Sequence, residues 1–192
     1  MHHIYHTEGI ILGSGNFGET GKYYFIFTRD LGMIHASAQG VRKMSSKLRF
    51  VLQDFSYVKI DLVKGRDFWR VTNVLKTNKL EKLSNPEILK VFLNIAKLLK
   101  RLLAGEDPNK SLFIDLLNGL SVLENSKTIE EMHNVEAVIV LRVLNNLGYI
   151  GGSGNLEYLI KSPFEDDLVF KASQNRTKIL SQINKALKET HL

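Results

Sequence analysis

The sequence predicts an α+β chain: an antiparallel barrel of about five short strands over residues 1–79, then an all-helical domain over residues 80–192. Three observations predict it. Aromatic and β-branched runs punctuated by glycine turns fill the first part. Apolar residues at three- and four-residue spacing, between helix start and stop signals, fill the second. Eleven of the aromatic residues, from Tyr5 to Trp69, precede position 80, so composition shifts near Asn78 to Ser84.

Taken in order, Ile4–Leu12 and Lys22–Thr28 read as paired strands joined by the glycine-dense Gly13-Ser14-Gly15-Asn16-Phe17-Gly18, which supplies turn conformations without steric cost. Asp30-Leu31-Gly32 signals a second turn into a strand over Met33–Gln39. Phe55–Val63 alternates with an apolar face at Val58, Ile60 and Leu62, and Lys64-Gly65-Arg66-Asp67 turns it into a fifth strand over Phe68–Lys76. Closing such a sheet into a barrel removes its exposed edges. A barrel this small needs Phe25, Phe27, Tyr57 and Trp69 inside or half inside.

Asn85-Pro86 then sets a cap and a first-turn proline ahead of a helix carrying Ile88, Val91, Phe92, Ile95, Leu98, Leu99 and Leu102. Asp107-Pro108 repeats the signal for a second helix, with Leu112, Phe113, Leu116, Leu117, Leu120 and Leu123. Thr128-Ile129-Glu130-Glu131 is a capping box for a third, which ends at Gly148. Gly151-Gly152-Ser153-Gly154-Asn155 reads as a flexible break, and Arg176–Lys188 as a last amphipathic helix on Ile179, Leu180, Ile183 and Leu187.

Cysteine is absent, which excludes a disulfide framework, a thiolate nucleophile, an iron–sulfur cluster and a thiolate zinc site. No metal or other cofactor is expected from the six histidines, three of which crowd the first six positions. The longest mostly apolar stretch, Ile88 to Leu103, is interrupted by Lys90, Lys97, Lys100 and Arg101, so no membrane span is expected. With no cationic segment followed by an apolar run at the N-terminus, the expectation is a cytoplasmic protein. The net charge of +6 is confined to residues 1–79, with twelve cations against six carboxylates; residues 80–192 balance at fourteen of each.

Gly13 to Gly18 spells G-x-G-x-x-G, but a dinucleotide site needs a helix to open at its third glycine, and the chain continues into the strand-like Tyr23-Tyr24-Phe25-Ile26-Phe27. A hairpin loop is the expectation. The Gly21-Lys22 pair is no P-loop, since Asn16 stands where a glycine is required. Glu165-Asp166-Asp167 reads as a solvated turn, His35 and His133 as packed or exposed side chains, and no serine, histidine and carboxylate fall in a recognisable catalytic order. No enzymatic activity is expected. The segment from Gln39 to Arg49 differs: Arg42, Lys43, Lys47 and Arg49 lie within eight residues, and no acid occurs between Asp30 and Asp54. Twenty-three residues without a carboxylate leave these charges without local partners, which favours a polyanion. In an aromatic-rich barrel the pattern suits single strands, whose binders combine a basic groove with rings that stack bases.

The stretches Thr7–Glu19, Phe27–Gly32, Ala38–Lys43, Ser46–Arg49 and Leu52–Ser56, with Val135-Glu136-Ala137 and Leu141–Tyr149 further on, resemble the RecO family of bacterial DNA repair proteins. The resemblance implies an OB-fold-like barrel followed by helices. It also implies a non-enzymatic recombination mediator that binds single- and double-stranded DNA, anneals complementary strands, engages RecR and single-strand-binding protein, and helps load RecA. Onto this chain it carries Arg42, Lys43, Lys47 and Arg49 as DNA contacts, with Lys22, Arg29, Arg66 and Arg70 beside them. Many members hold a four-cysteine zinc module after the leucine–glycine–tyrosine stretch; here Gly148-Tyr149-Ile150 runs into Gly151-Gly152-Ser153-Gly154, as if the module were reduced to a linker. The reading of a different class is a protein-interaction adaptor in a repair complex whose charge serves only solubility.

Overall fold

The computed structural model describes residues 3–77, 80, 85–103, 105–151 and 154–189. Five strands, β1 (Ile4–Phe17), β2 (Gly21–Thr28), β3 (Gly32–Ala38), β4 (Tyr57–Lys64) and β5 (Trp69–Lys76), close into a barrel in the order β1-β2-β3-β5-β4. It is OB-fold-like. The long β1 makes closure possible: Ile4–Ile10 pair with β4, and Gly9–Phe17 pair with β2. A short parallel seam, Ala36 with Trp69 and Ser37 with Arg70, joins β3 to β5.

The period-2 pattern of β4 is realised, with Val58, Ile60 and Leu62 buried in the barrel core beside Ile11, Tyr24, Ile26, Ile34, Ala36 and Trp69. Between β3 and β4 the short helix α1 (Leu48–Val51) turns Leu48, Val51 and Leu52 onto the same cluster. A side chain buried in full, such as Leu52 or Ile60, contributes about 1.5–3 kcal/mol. Burial foremost, then the charge of Asp54, pushes the Tyr24 phenol up to about 12, so it remains a neutral core group.

The glycine-dense stretch departs from the expected loop. Residues 13–17 continue β1, paired with Tyr23 to Phe25 and on to Gly21, and the reversal occupies only the three residues that follow. A Cβ on Gly15 would stand 2.3 Å from the Tyr23 ring, so the missing side chain there clears the sheet surface rather than turning the chain.

Seven helices occur among the described residues. Beyond α1 they are α2 (Pro86–Leu102), α3 (Lys110–Asn125), α4 (Ile129–Asn146), α5 (Glu157–Lys161), α6 (Asp166–Gln174) and α7 (Arg176–Glu189). The Asn85 side chain caps α2 through the Glu87 amide at 3.0 Å, as its sequence predicts. At α3 the cap is Asn109, which accepts from the Leu112 amide at 3.0 Å, two residues beyond the expected Asp107. Both halves of the Thr128–Glu131 capping box form at α4.

Glu165 occupies the N-cap position of α6, so the acid run expected as a turn begins a helix. Helix α7 buries Ile179, Ile183 and Ala186 while Leu180 is exposed, a rotation of the expected face. The expected boundary at 78–84 lies outside the described residues apart from Leu80, as do Gly152 and Ser153 of the expected break.

The chain forms two compact units, residues 1–81 with 96–113, and residues 82–95 with 114–192. In the first, Phe27 projects from the opposite face of β2 to Tyr24 and Ile26 yet is fully buried, because the Phe113 ring packs on it at 5.5 Å. In the second, α4 is the central element, buried on most of its circumference and packed by α5, α6 and α7. Arg142 is buried among those apolar positions, donating to Asp115 Oδ1 at 2.6 Å, to the carbonyl of Leu159 at 2.9 Å and to that of Ser162. Its guanidinium also lies 4.1 Å from the Phe164 ring centre. Among the described residues no helix is long and apolar enough to cross a membrane.

Candidate nucleic-acid interface

The four clustered cations lie on the connection that leaves β3 and enters α1, and all four are exposed. Local hydrogen bonds fix its course: Lys43 N–H donates to the Gly40 carbonyl at 3.1 Å, Ser46 N–H to Lys43 at 3.0 Å and Phe50 N–H to Lys47 at 3.3 Å. Arg42 fastens the loop to the β1–β2 turn. Its amide donates to the Thr20 carbonyl at 2.9 Å and its guanidinium to that of Glu19 at 3.1 Å. Arg42 therefore has a structural task beside its charge. Because Leu48, Val51 and Leu52 face the core, the helical period sends Arg49 and Phe50 outward.

The other predicted positions divide. Lys22 begins β2 next to the same turn and is half-buried, its ammonium 3.4 Å from Ser14 Oγ. Arg70 lies beside Ser37 in the parallel seam, and Ser37 pairs in turn with Tyr23. Arg66 is exposed in the β4–β5 turn just ahead of that seam. Arg29 stands apart, at the other end of the eight-residue β2, and Glu8 Oε2 meets it at 3.4 Å. At about 3.3 Å rise per residue that end is on the order of 20 Å from Lys22, so Arg29 does not join the cluster.

Ring exposure, which sequence alone left open, is now defined. Of the four rings expected inside or half inside the barrel, only Trp69 belongs to its core. Phe27 and Tyr57 are buried on the outer face against Phe113, and Phe25 is half-buried on the outer face beside Tyr23 and His35. Period-2 alternation gives the interior to Tyr24, Ile26, Val58, Ile60 and Leu62 instead. Phe17, Tyr23 and Phe68 are exposed at 47%, 38% and 47%. Phe17 ends β1 and Phe68 precedes β5, yet their rings approach to 6.4 Å between centres, joining the β1–β2 and β4–β5 turns. Tyr23 meets Phe25 edge-on at 5.7 Å, and Phe25 meets His35 at 4.7 Å. A cleft opens beside this row, lined by Phe25, His35, Asp67, Lys100 and Glu106, with the Lys100 ammonium 5.5 Å from the Phe25 ring centre.

Period-2 alternation along β2 puts Tyr23 and Phe25 on one face, and nothing in the sequence distinguishes an open face from a covered one. The β2–β3 face and the β1–β2 and β4–β5 loops are the surfaces with which OB-folds bind oligonucleotides. Glu8, Asp30, Asp61 and Glu106 are each engaged by a cation or a histidine. Glu106 is held below the usual carboxylate range by the Lys64 ammonium at 2.8 Å, with the Trp69 indole N–H donating to its other oxygen. Arg42, Lys43, Lys47 and Arg49 make no ion pair among the described residues within 4 Å of a carboxylate, whereas Arg29 and Lys64 do.

Residues 1–90 match the family model for the N-terminal part of recombination protein O, and residues 83–150 match the one for its C-terminal part. Curated proteins named DNA repair protein RecO are similar over much of the chain. The one from Desulfitobacterium hafniense is 27% identical over 147 residues, covering 76% of this chain and 52% of the relative. The one from Rubrobacter xylanophilus is 27% identical over 158 residues, covering 76% and 58%. The one from Alkaliphilus metalliredigens is 34% identical over 96 residues, covering 50% and 34%. The chain spans about half the length of the curated relatives it matches in Desulfitobacterium and Rubrobacter.

Proposed function

The chain belongs to the RecO family, and from that premise we propose that it is a recombination mediator in DNA repair, binding single- and double-stranded DNA through its barrel. The observation that carries this reading is the acid-free run of four exposed cations, anchored by Arg42 to the β1–β2 turn of a barrel with open rings. Lys43, Lys47 and Arg49 neutralise backbone phosphates, Lys22, Arg66 and Arg70 extend the basic path, and Phe17, Tyr23 and Phe68 offer faces to unstacked bases. Two complementary strands whose charge is offset on one protein repel each other less, which favours their annealing.

In this reading the protein acts without catalysing a reaction and needs no cofactor. It works in the cytoplasm at the nucleoid, with RecR and single-strand-binding protein as partners, and helps load RecA onto coated strands. Binding and annealing of labelled complementary oligonucleotides at about 150 mM salt test it, a regime in which nonspecific phosphate contacts are already weakened. Measurable binding and faster annealing are expected. Negligible binding under those conditions would instead favour a protein-interaction adaptor.

A further inference from the structure

Met44 and Phe50 are the two most exposed large hydrophobic side chains among the described residues, at 84% and 64%, and both lie in the cationic connection. Single exposed apolar residues are ordinary on protein surfaces. These two are linked: the Arg49 guanidinium donates to Met44 Sδ at 3.2 Å and stands 5.6 Å from the centre of the Phe50 ring. The result is a thioether, a guanidinium plane and an aromatic ring held together by a loop whose backbone is hydrogen-bonded, whose neighbour Leu52 is buried in the core and whose neighbours Leu48 and Val51 pack against it. Little ordering remains to be done on binding, which favours affinity.

We propose that the Met44–Arg49–Phe50 cluster is a base-contacting site, in which an unpaired nucleobase packs against the ring and the thioether while Lys43, Lys47 and Arg49 hold the flanking phosphates. This rests on the DNA-binding reading above and adds to it a site separate from the outward face of β2 and β3. Charge complementarity selects the occupant. An apolar contact surrounded by cations, in a stretch of 23 residues without a carboxylate, suits a ligand that alternates flat apolar faces with anions at nucleotide spacing. Paired bases keep their faces stacked inside the duplex, so the cluster discriminates in favour of single strands.

The test keeps every cation and removes only the apolar pair. Met44→Ser/Phe50→Ser is made in the full chain and compared with the parent on a labelled thirty-nucleotide oligo-dT and on a hairpin duplex of the same length. Both side chains are exposed, so the melting temperature should be unchanged, which circular dichroism verifies. Single-strand affinity is expected to fall roughly tenfold with an unchanged salt slope, while duplex affinity stays within about twofold.

Unchanged single-strand affinity in the variant, with the parent binding normally, overturns this proposal alone. An equal loss on duplex overturns the assignment to unpaired bases. A parent that binds neither oligonucleotide overturns the DNA-binding reading and this site with it. Loss of co-sedimentation with phosphatidylglycerol vesicles, at unchanged DNA affinity, reassigns the cluster to a lipid surface.

Discussion

The indole N–H of Trp69 donates to Oε1 of Glu106 at 2.8 Å, tying the first residue of β5 to the segment that follows α2. Lys64 Nζ holds the other carboxylate oxygen at 2.8 Å and lies 5.2 Å from the Trp69 ring centre. Trp69 is buried, so Glu106→Ala leaves its N–H without a partner and should cost roughly 1–3 kcal/mol in urea unfolding.

The same carboxylate predicts a pH dependence. Its folded-state value is lowered, chiefly by the hydrogen bond from Lys64, so its contribution is present in full above its ordinary range near 4.5 and is lost as pH falls through the lowered value. Asp61 shifts the same way, led by its bond to His6. Asp30 does so despite the opposing effect of burial, because Lys110 and Thr7 bond to it. Melting temperature should therefore drop as pH is lowered below about 4.5, and Glu106→Gln should make that drop shallower without abolishing it.

Gly32 predicts a position that tolerates no side chain. Its φ is +71°, and a Cβ there would stand 2.4 Å from the Asp107 carbonyl oxygen. Backbone cannot swing aside as a side-chain tip can. Gly32→Ala should destabilise by more than about 2 kcal/mol, the left-handed conformation alone contributing roughly half. A lowered urea midpoint at unchanged slope would register it.

Arg142 should behave as a clamp whose shape matters as much as its charge. It joins Asp115 on α3 to the carbonyls of Leu159 and Ser162, and so fixes the chain that follows the glycine-rich link. Arg142→Met should cost about 3 kcal/mol, and Arg142→Lys should recover only part of that, because a point charge cannot serve three acceptors in one plane. Thermal unfolding of the two variants side by side checks the order.

Features set by local chemistry were legible in the sequence. The Thr128–Glu131 box, the Asn85 cap and the apolar face of β4 each depend on residues a few positions apart. What escaped depends on distant partners. Gly15 reads as a turn residue until Tyr23 is seen lying over it, and Asp107-Pro108 looks like a cap although Asn109 takes the role. Helix α7 carries Leu180 and Ala186 in positions whose burial is decided by the helices packed on it. In the candidate interface the cationic cluster is contiguous and could be read directly. The approach of Phe17 to Phe68, fifty-one positions apart, arises only when the barrel closes.

The central claim, that the connection between β3 and α1 grips phosphates, is tested most directly by the salt dependence of single-strand binding. Arg42 is retained because it holds the Glu19 carbonyl, and the comparison is between the parent and Lys43→Gln/Lys47→Gln/Arg49→Gln. Every phosphate that the protein ceases to neutralise lowers the slope of log affinity against log salt by about 0.7, so the triple variant should bind more weakly at low salt with a slope flatter by about 2. A folded triple variant with the parent's affinity and the parent's slope would contradict the account.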